Sequence, residues 1–137
     1  MLQAYSSDLT VGANALFPFN NVILNKGCNV SLSGAATVQL NKQGVYMIQV
    51  DGFATPDAAT EVSVQLIVNG VPQPQAISTF VPAAVTDTRT FGFTTFVRAF
   101  ENNCKCNCLT SPTTIQVQNG DTDLTDAHIN IVVTQIK

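Results

Sequence analysis

The strongest constraint on this chain is a two-residue rhythm. Tyr46, Ile48 and Val50 alternate with Met47, Gln49 and Asp51. Val62, Val64, Leu66 and Val68 alternate with Ser63, Gln65 and Ile67, and Ile129, Ile131 and Val133 end the chain in the same beat. A strand throws successive side chains to opposite faces, so each run predicts a strand with one row turned to a core. No segment sustains the 3.6-residue period of an amphipathic helix. The chain is also rich in Val and Thr, β-branched residues that suit a pleated surface.

Turn chemistry divides these runs. Lys26-Gly27-Cys28, Asn41-Lys42-Gln43-Gly44, Pro56-Asp57, Asn69-Gly70 and Asn119-Gly120-Asp121 each break an apolar stretch. Asn69-Gly70 is the strongest hairpin signal. Strands are expected near residues 22–25, 30–32, 37–40, 45–53, 62–68, 71–81, 87–100, 114–118 and 128–136. Pro72 and Pro74 put the 71–81 run at a sheet edge, and the cysteine stretch with Ser111-Pro112 reads as a loop. Residues 2–19 are ambiguous, with a strand suggested near 13–17. Eight to ten strands at a spacing of about 8–12 residues predict an all-β, antiparallel two-sheet sandwich. One domain spans residues 21–137, and residues 1–20 are an N-terminal arm or a first strand.

Composition narrows the function. Charged residues make up 11% of the 137, and the net charge is −3, where a typical soluble domain is about 25% charged. Six Lys and Arg in all do not make the basic face of a nucleic-acid binder. No apolar run approaches the roughly 18 residues of a membrane span. The first residues, Met1-Leu2-Gln3-Ala4-Tyr5, lack the basic and apolar regions of a secretory signal. A surface so poor in charge is weakly protected against association. Two strands are apolar on both sides: Phe96 lies opposite Phe91 and Phe93, and Met47 opposite Tyr46 and Ile48. One face serves the core, and the other is expected to meet a partner subunit.

Motifs for chemistry are sparse. His128 is the only histidine, with no nucleophile motif to serve, and reads as a structural or surface residue. Asp121, Asp123 and Asp126 lack the glycine and distal glutamate of a calcium loop and read as a solvated turn. No phosphate loop or dinucleotide fingerprint occurs, so no enzyme is expected. Cys28, Cys104, Cys106 and Cys108 leave three readings open: thiols with at most one bridge, a metal site within or between subunits, or a catalytic thiol, the last disfavoured because no histidine lies close in sequence. The C-x-C-x-C spacing is not the usual zinc pattern. No other cofactor is expected.

The order Gly44-Val45-Tyr46-Met47-Ile48, Val64-Gln65-Leu66-Ile67-Val68-Asn69-Gly70, the Phe-rich strand, Ile115-Gln116-Val117-Gln118-Asn119-Gly120 and Ile129-Asn130-Ile131-Val132-Val133 resembles the tumour-necrosis-factor-like jelly roll. That family includes the globular heads of complement-type collagen-like proteins and the caps of exosporium fibres. The chain is more specifically similar to short proteins of phages and prophages of Firmicutes. Those share the Lys26-Gly27-Cys28 turn, the stretch from Leu40 to Met47, and a cysteine cluster before Ser111-Pro112-Thr113. The resemblance covers nearly the whole chain. It implies a ten-stranded jelly roll, a compact homotrimer and a structural or adhesive role. Carried over by position, it nominates Met47, Gln49, Phe96, Arg98 and Phe100 for the trimer interface. The cysteine cluster has no counterpart in the general family, and it is expected at one pole of the trimer.

These readings together predict a virion protein of a bacteriophage, decorating a capsid or heading a fibre, with other virion proteins as partners. The N-terminal arm, with Leu2, Tyr5 and Leu9, is the expected attachment segment. The alternatives are a module recognising a glycan or protein on a host surface, and a spore-surface cap.

Overall fold

The computed structural model describes residues 1–84, 87–100 and 108–137, with backbone alone at 108–110. Ten strands lie in these residues: β1 (Leu2–Val11), β2 (Asn21–Asn25), β3 (Val30–Ser33), β4 (Thr37–Lys42), β5 (Gly44–Pro56), β6 (Val62–Val68), β7 (Val71–Phe80), β8 (Arg89–Ala99), β9 (Cys108–Asn119) and β10 (Leu124–Gln135). They form two antiparallel sheets. Sheet A has the order β2-β1-β10-β5-β8, and sheet B has β3-β4-β9-β6-β7.

The two-residue rhythm decides which rows meet between the sheets. Tyr46, Ile48 and Val50 of β5, Ile129, Ile131 and Val133 of β10, and Leu2 and Ala4 of β1 face inward from sheet A. Val38, Leu40, Val64, Leu66, Ile115 and Val117 meet them from sheet B, and all are buried. Each full burial of such a side chain contributes about 1.5–3 kcal/mol. Phe91 and Val97 point inward from β8, as their parity predicts, and Phe93 packs against the core. Ile67 is an exception. It is buried although it alternates with the core row, because it pairs with Gln116 on one side and Pro72 on the other, where the ladder to β7 shifts register.

The hairpin at Asn69-Gly70 forms as expected. Both residues have positive φ, 50° and 79°, as a tight turn matched to strand twist requires. β7 carries Pro72 and Pro74 at the outer edge of sheet B, where a missing donor breaks no second ladder.

Two expectations are corrected. Of the two readings of residues 1–20, the first strand forms and the arm does not, and the segment near 13–17 is not a strand beyond an isolated bridge from Leu16 to Gln118. Instead β1 lies inside sheet A, bonded to β2 on one side and β10 on the other. Leu2 is fully buried and Leu9 nearly so, and Phe17 and Phe19 complete the core. The period was hidden because β1 bulges between Ser6 and Leu9, with Asp8 at φ 55°, so the buried row skips a beat. The second correction is Pro112, which lies inside β9 and not in a loop. β6 reaches β9 only at residues 115–119, and the ladder to β4 shifts between Leu40 and Lys42. The proline therefore sits where no donor is required.

Two polar side chains tie the sandwich at its ends. Asn119, buried at the end of β9, donates its amide to the carbonyls of Val11 at 3.3 Å, Gly12 at 3.0 Å and Thr122 at 2.8 Å. It joins sheet B to the end of β1 and the β9–β10 turn. Tyr46 is buried at the opposite end, and its hydroxyl donates to the Lys42 carbonyl at 2.7 Å. Burial raises the Tyr46 pKa above its ordinary value, against a smaller lowering by that hydrogen bond.

Tyr46→Phe is expected to lower stability by about 1 kcal/mol near pH 8, read from the urea midpoint. A raised pKa favours the neutral phenol in the folded state. Its contribution is therefore complete below about pH 10 and declines as pH rises through the folded-state value. The alkaline decline should be shallower in the variant. Truncation of residues 1–8 removes most of a central strand, and the expected product shows no cooperative thermal transition by circular dichroism.

Candidate assembly surface

Because the inner rows of sheet A are committed to the core, the outer rows are fixed by the same parity. On β5 they are Val45, Met47, Gln49, Asp51 and Phe53. The register then sets their neighbours: Met47 faces Phe96 of β8 and Thr134 of β10, and Gln49 faces Thr94 and Val132. The five residues nominated from the sequence, Met47, Gln49, Phe96, Arg98 and Phe100, lie together on this outer face or at its end. Phe96 is 58% exposed and Phe100 53% exposed, large values for aromatic side chains on a regular sheet.

The outer face is arranged in rows. Nearest the β9–β10 turn, the His128 ring stacks on Phe53 at 5.2 Å with planes 12° apart, and Tyr5 lies on its other side at 6.1 Å. In the middle, Gln3 donates to Asn130 at 3.3 Å, and Asn130 donates to Asp51 at 3.1 Å. This chain of hydrogen bonds crosses three strands. Below it come Met47, Phe96 and Val132. At the far end the Arg98 guanidinium sits 4.3 Å from the centre of the Phe100 ring, a cation–π contact. Between the aromatic row and the end of β8, Asp51 and Arg98 are the charged residues on this face.

Backbone irregularity sets up the aromatic row. β10 bulges between Thr125 and His128, with Asp126 at φ 48°, and this turns His128 outward beside Phe53. The bulged backbone comes so close to β5 that a Cβ on Gly52 would meet the His128 carbonyl oxygen and the Phe91 ring. Glycine is the residue that fits there.

The outer face of sheet B is different in kind. It presents Thr37, Gln39, Thr114, Gln116, Gln118 and Gln65. Several are held by local bonds, such as Gln116 to Thr37 at 2.9 Å and Gln65 to the Gln73 carbonyl at 3.1 Å. One sheet thus shows water mainly hydroxyls and amides, with Ile77 and Val71 exposed on its edge strand β7, and the other shows it aromatic rings.

Sequence reasoning missed Gln3, Tyr5, Phe53, His128 and Asn130 as members of this face. Phe53 had a usable signal, since it shares parity with Met47, Gln49 and Asp51. His128 had the same signal, since it alternates with the Ile129-Ile131-Val133 row; Tyr5 had none, because the bulge after Ser6 kept β1 from reading as a strand. Of the expected attachment residues, Leu2 and Leu9 are core, and Tyr5 belongs to the aromatic row. Cys28 is exposed in the β2–β3 turn without a disulfide. Its carbonyl accepts from Asn41 at 3.2 Å, next to Lys42, which pairs with the backbone of Cys108. Cys104, Cys106 and the Cys108 side chain lie outside the described residues. Among the described residues no group of three or more His, Cys, Asp or Glu is placed to hold a metal.

No family model matches the chain, and no curated protein sequence matches it. Solved structures do share its fold. PRD1 vertex protein P5 superposes with a TM-score of 0.66 at 17% identity, covering 99% of this chain and 96% of that one. Eiger TNF from S. frugiperda gives 0.68 at 13%, covering 99% and 92%. Murine APRIL at pH 5.0 gives 0.63 at 10%, covering 98% and 97%. The fold is therefore a TNF-like jelly roll.

Gly52→Ala should cost about 2 kcal/mol or more through forced displacement of the bulge. The expected reading is a lower urea midpoint with an unchanged m-value.

Proposed function

We propose that this chain is a non-enzymatic virion structural protein that works as a homotrimer, decorating a capsid or heading a fibre of a bacteriophage. The observation that carries the reading is the contrast between the two outer faces. A sheet face in water should alternate core residues with polar ones, as sheet B does. Sheet A instead exposes Phe53 and Phe96 beside Met47 and Val132. Such a patch marks an interaction site. Its residues repeat the interface composition of symmetric oligomers: aromatic residues and Met, with few charges.

The likeness to a vertex protein supports a place in a virion. Attachment to a lattice rewards symmetry, because three identical weak contacts act together. The likeness to Eiger TNF and APRIL keeps an adhesive or receptor-binding role as the second reading. Aromatic placement favours the structural one. A glycan-binding module presents aromatics in loops, whereas here Phe17 and Phe19 are core, Phe80 is half-buried at a strand end, and Tyr5 stacks within a strand row.

Light scattering at micromolar concentration should return the mass of three chains, and a clean monomer would sink the proposal. Met47→Glu with Phe96→Glu places carboxylates in a face that assembly desolvates. Association should weaken roughly a thousandfold or more, leaving a folded monomer by circular dichroism. For the virion role, labelled trimer should bind particles that lack the protein and reveal three-fold knobs by electron microscopy.

A further inference from the structure

The few charges of this chain are sorted to opposite ends of the sandwich. At the end where β5 begins and β10 finishes lie Lys26, Lys42, Arg98 and Lys137. Their positions follow from the ladders. Arg98 pairs with Val45, the Lys137 carbonyl accepts from Val45 at 3.0 Å, and the Lys26 amide donates to the Met1 carbonyl at 2.9 Å. Lys42 immediately precedes the β4–β5 turn. No Asp or Glu of the described residues lies at this end. At the other end lie Asp8, Asp57, Glu61, Asp87, Asp121, Asp123 and Asp126, with Arg89 as their one cation. Arg89 is already paired with Asp87 at 2.8 Å, the one ion pair among the described residues. Asp51 sits midway. Glu101 and Lys105, outside the described residues, are of opposite sign. A chain with net charge −3 therefore carries a basic pole.

That pole is not a flat surface. A groove of about 690 Å³ opens there, lined by Gln43, Val45, Arg98, Phe100, Gln135 and Lys137. Its volume falls within the range of small-ligand sites. One wall is held in place: the Gln135 amide donates to the Gln43 carbonyl at 3.1 Å and accepts from Asn29. The opposite wall is the Arg98–Phe100 stack. With one face of the guanidinium covered by the ring, and no side-chain partner for it among the described residues, its donor edge suits a planar, two-oxygen acceptor.

We propose that this groove is a docking site for an acidic peptide segment of another protein, with Arg98 and Lys137 holding its carboxylates and Phe100 and Val45 taking the aliphatic stems. Charge complementarity selects the partner: a concave site with two cations, on a chain that otherwise repels anions, rewards a ligand whose negative charges are spaced along a narrow strand. The site is complete within one chain. Arg98 and Phe100 lie at the end of sheet A's outer face, and we place them at the rim of the trimer contact, open to solvent, with Met47 and Phe96 inside it. Three copies would gather three such grooves at one end of the assembly and multiply the affinity.

The test is fluorescence anisotropy of labelled hexaglutamate with the full chain in 50 mM NaCl, with hexaglutamine and a ten-nucleotide oligothymidylate as comparisons. Saturable binding of hexaglutamate, absent for hexaglutamine and much weaker for the oligonucleotide, supports the proposal. Arg98→Gln should weaken it about tenfold, and Arg98→Gln with Lys137→Gln should abolish it. Arg89→Gln, at the other pole, should leave it unchanged. Equal binding of the oligonucleotide, binding insensitive to the double substitution, or no binding of hexaglutamate overturns it. Light scattering on the same samples keeps the two readings apart: a monomer that still binds hexaglutamate removes the trimer and leaves the groove.

Discussion

Everything in this molecule follows from the requirement that each strand give one row of side chains to a single shared core. Once Tyr46, Ile48 and Val50 face inward, Met47, Gln49 and Asp51 have no choice but to face out. A one-residue slip would exchange the rows and bury Asp51 and Gln49. The register is thus held by the apolar row, and the outer row inherits its geometry at no further conformational cost. That leaves its chemistry open to serve something other than stability.

The same logic explains how much was legible in the sequence. Regular strands could be read directly, because parity alone separates Met47 and Phe96 from Ile48 and Val97. The hairpin at Asn69-Gly70 could be read because the turn needs two positive φ values. Elements that depend on a partner strand could not. β1 looks irregular in isolation, since Asp8 breaks the beat, and only the matching bulge in β10 makes sense of it. Pro112 looks like a terminator until β6 is seen to stop short of it. The sorting of charge to two poles was also invisible. Lys26, Lys42, Arg98 and Lys137 are scattered along the chain, and topology alone gathers them.

An 11% charged fraction is therefore less austere than it looks. Sheet B stays soluble through hydroxyls and amides. The outer face of sheet A is almost free of charge, as a desolvated contact between subunits requires. The charges that remain are at the ends, where they are least costly to a lateral contact and most useful to an axial one. Uncharged flanks and charged ends together separate two kinds of association that a uniformly charged surface would confuse.

The placement of β10 has a temporal meaning as well. It is the last made of the ten strands described, yet it lies in the middle of sheet A, with β1 on one side and β5 on the other. Leu2 pairs with Val133, so the first and last strands must meet. Until β10 leaves the ribosome, β1 and β5 are the edges of two separate ribbons with unsatisfied backbone groups. The growing chain can form the sheet B hairpin early, but sheet A can close only once β10 has emerged. Contacts this distant in sequence fold slowly, and the open ribbons offer neighbouring nascent chains a template in the interval. β10 is thus the strand whose arrival closes the sandwich: without it sheet A is two ribbons, and with it one sheet.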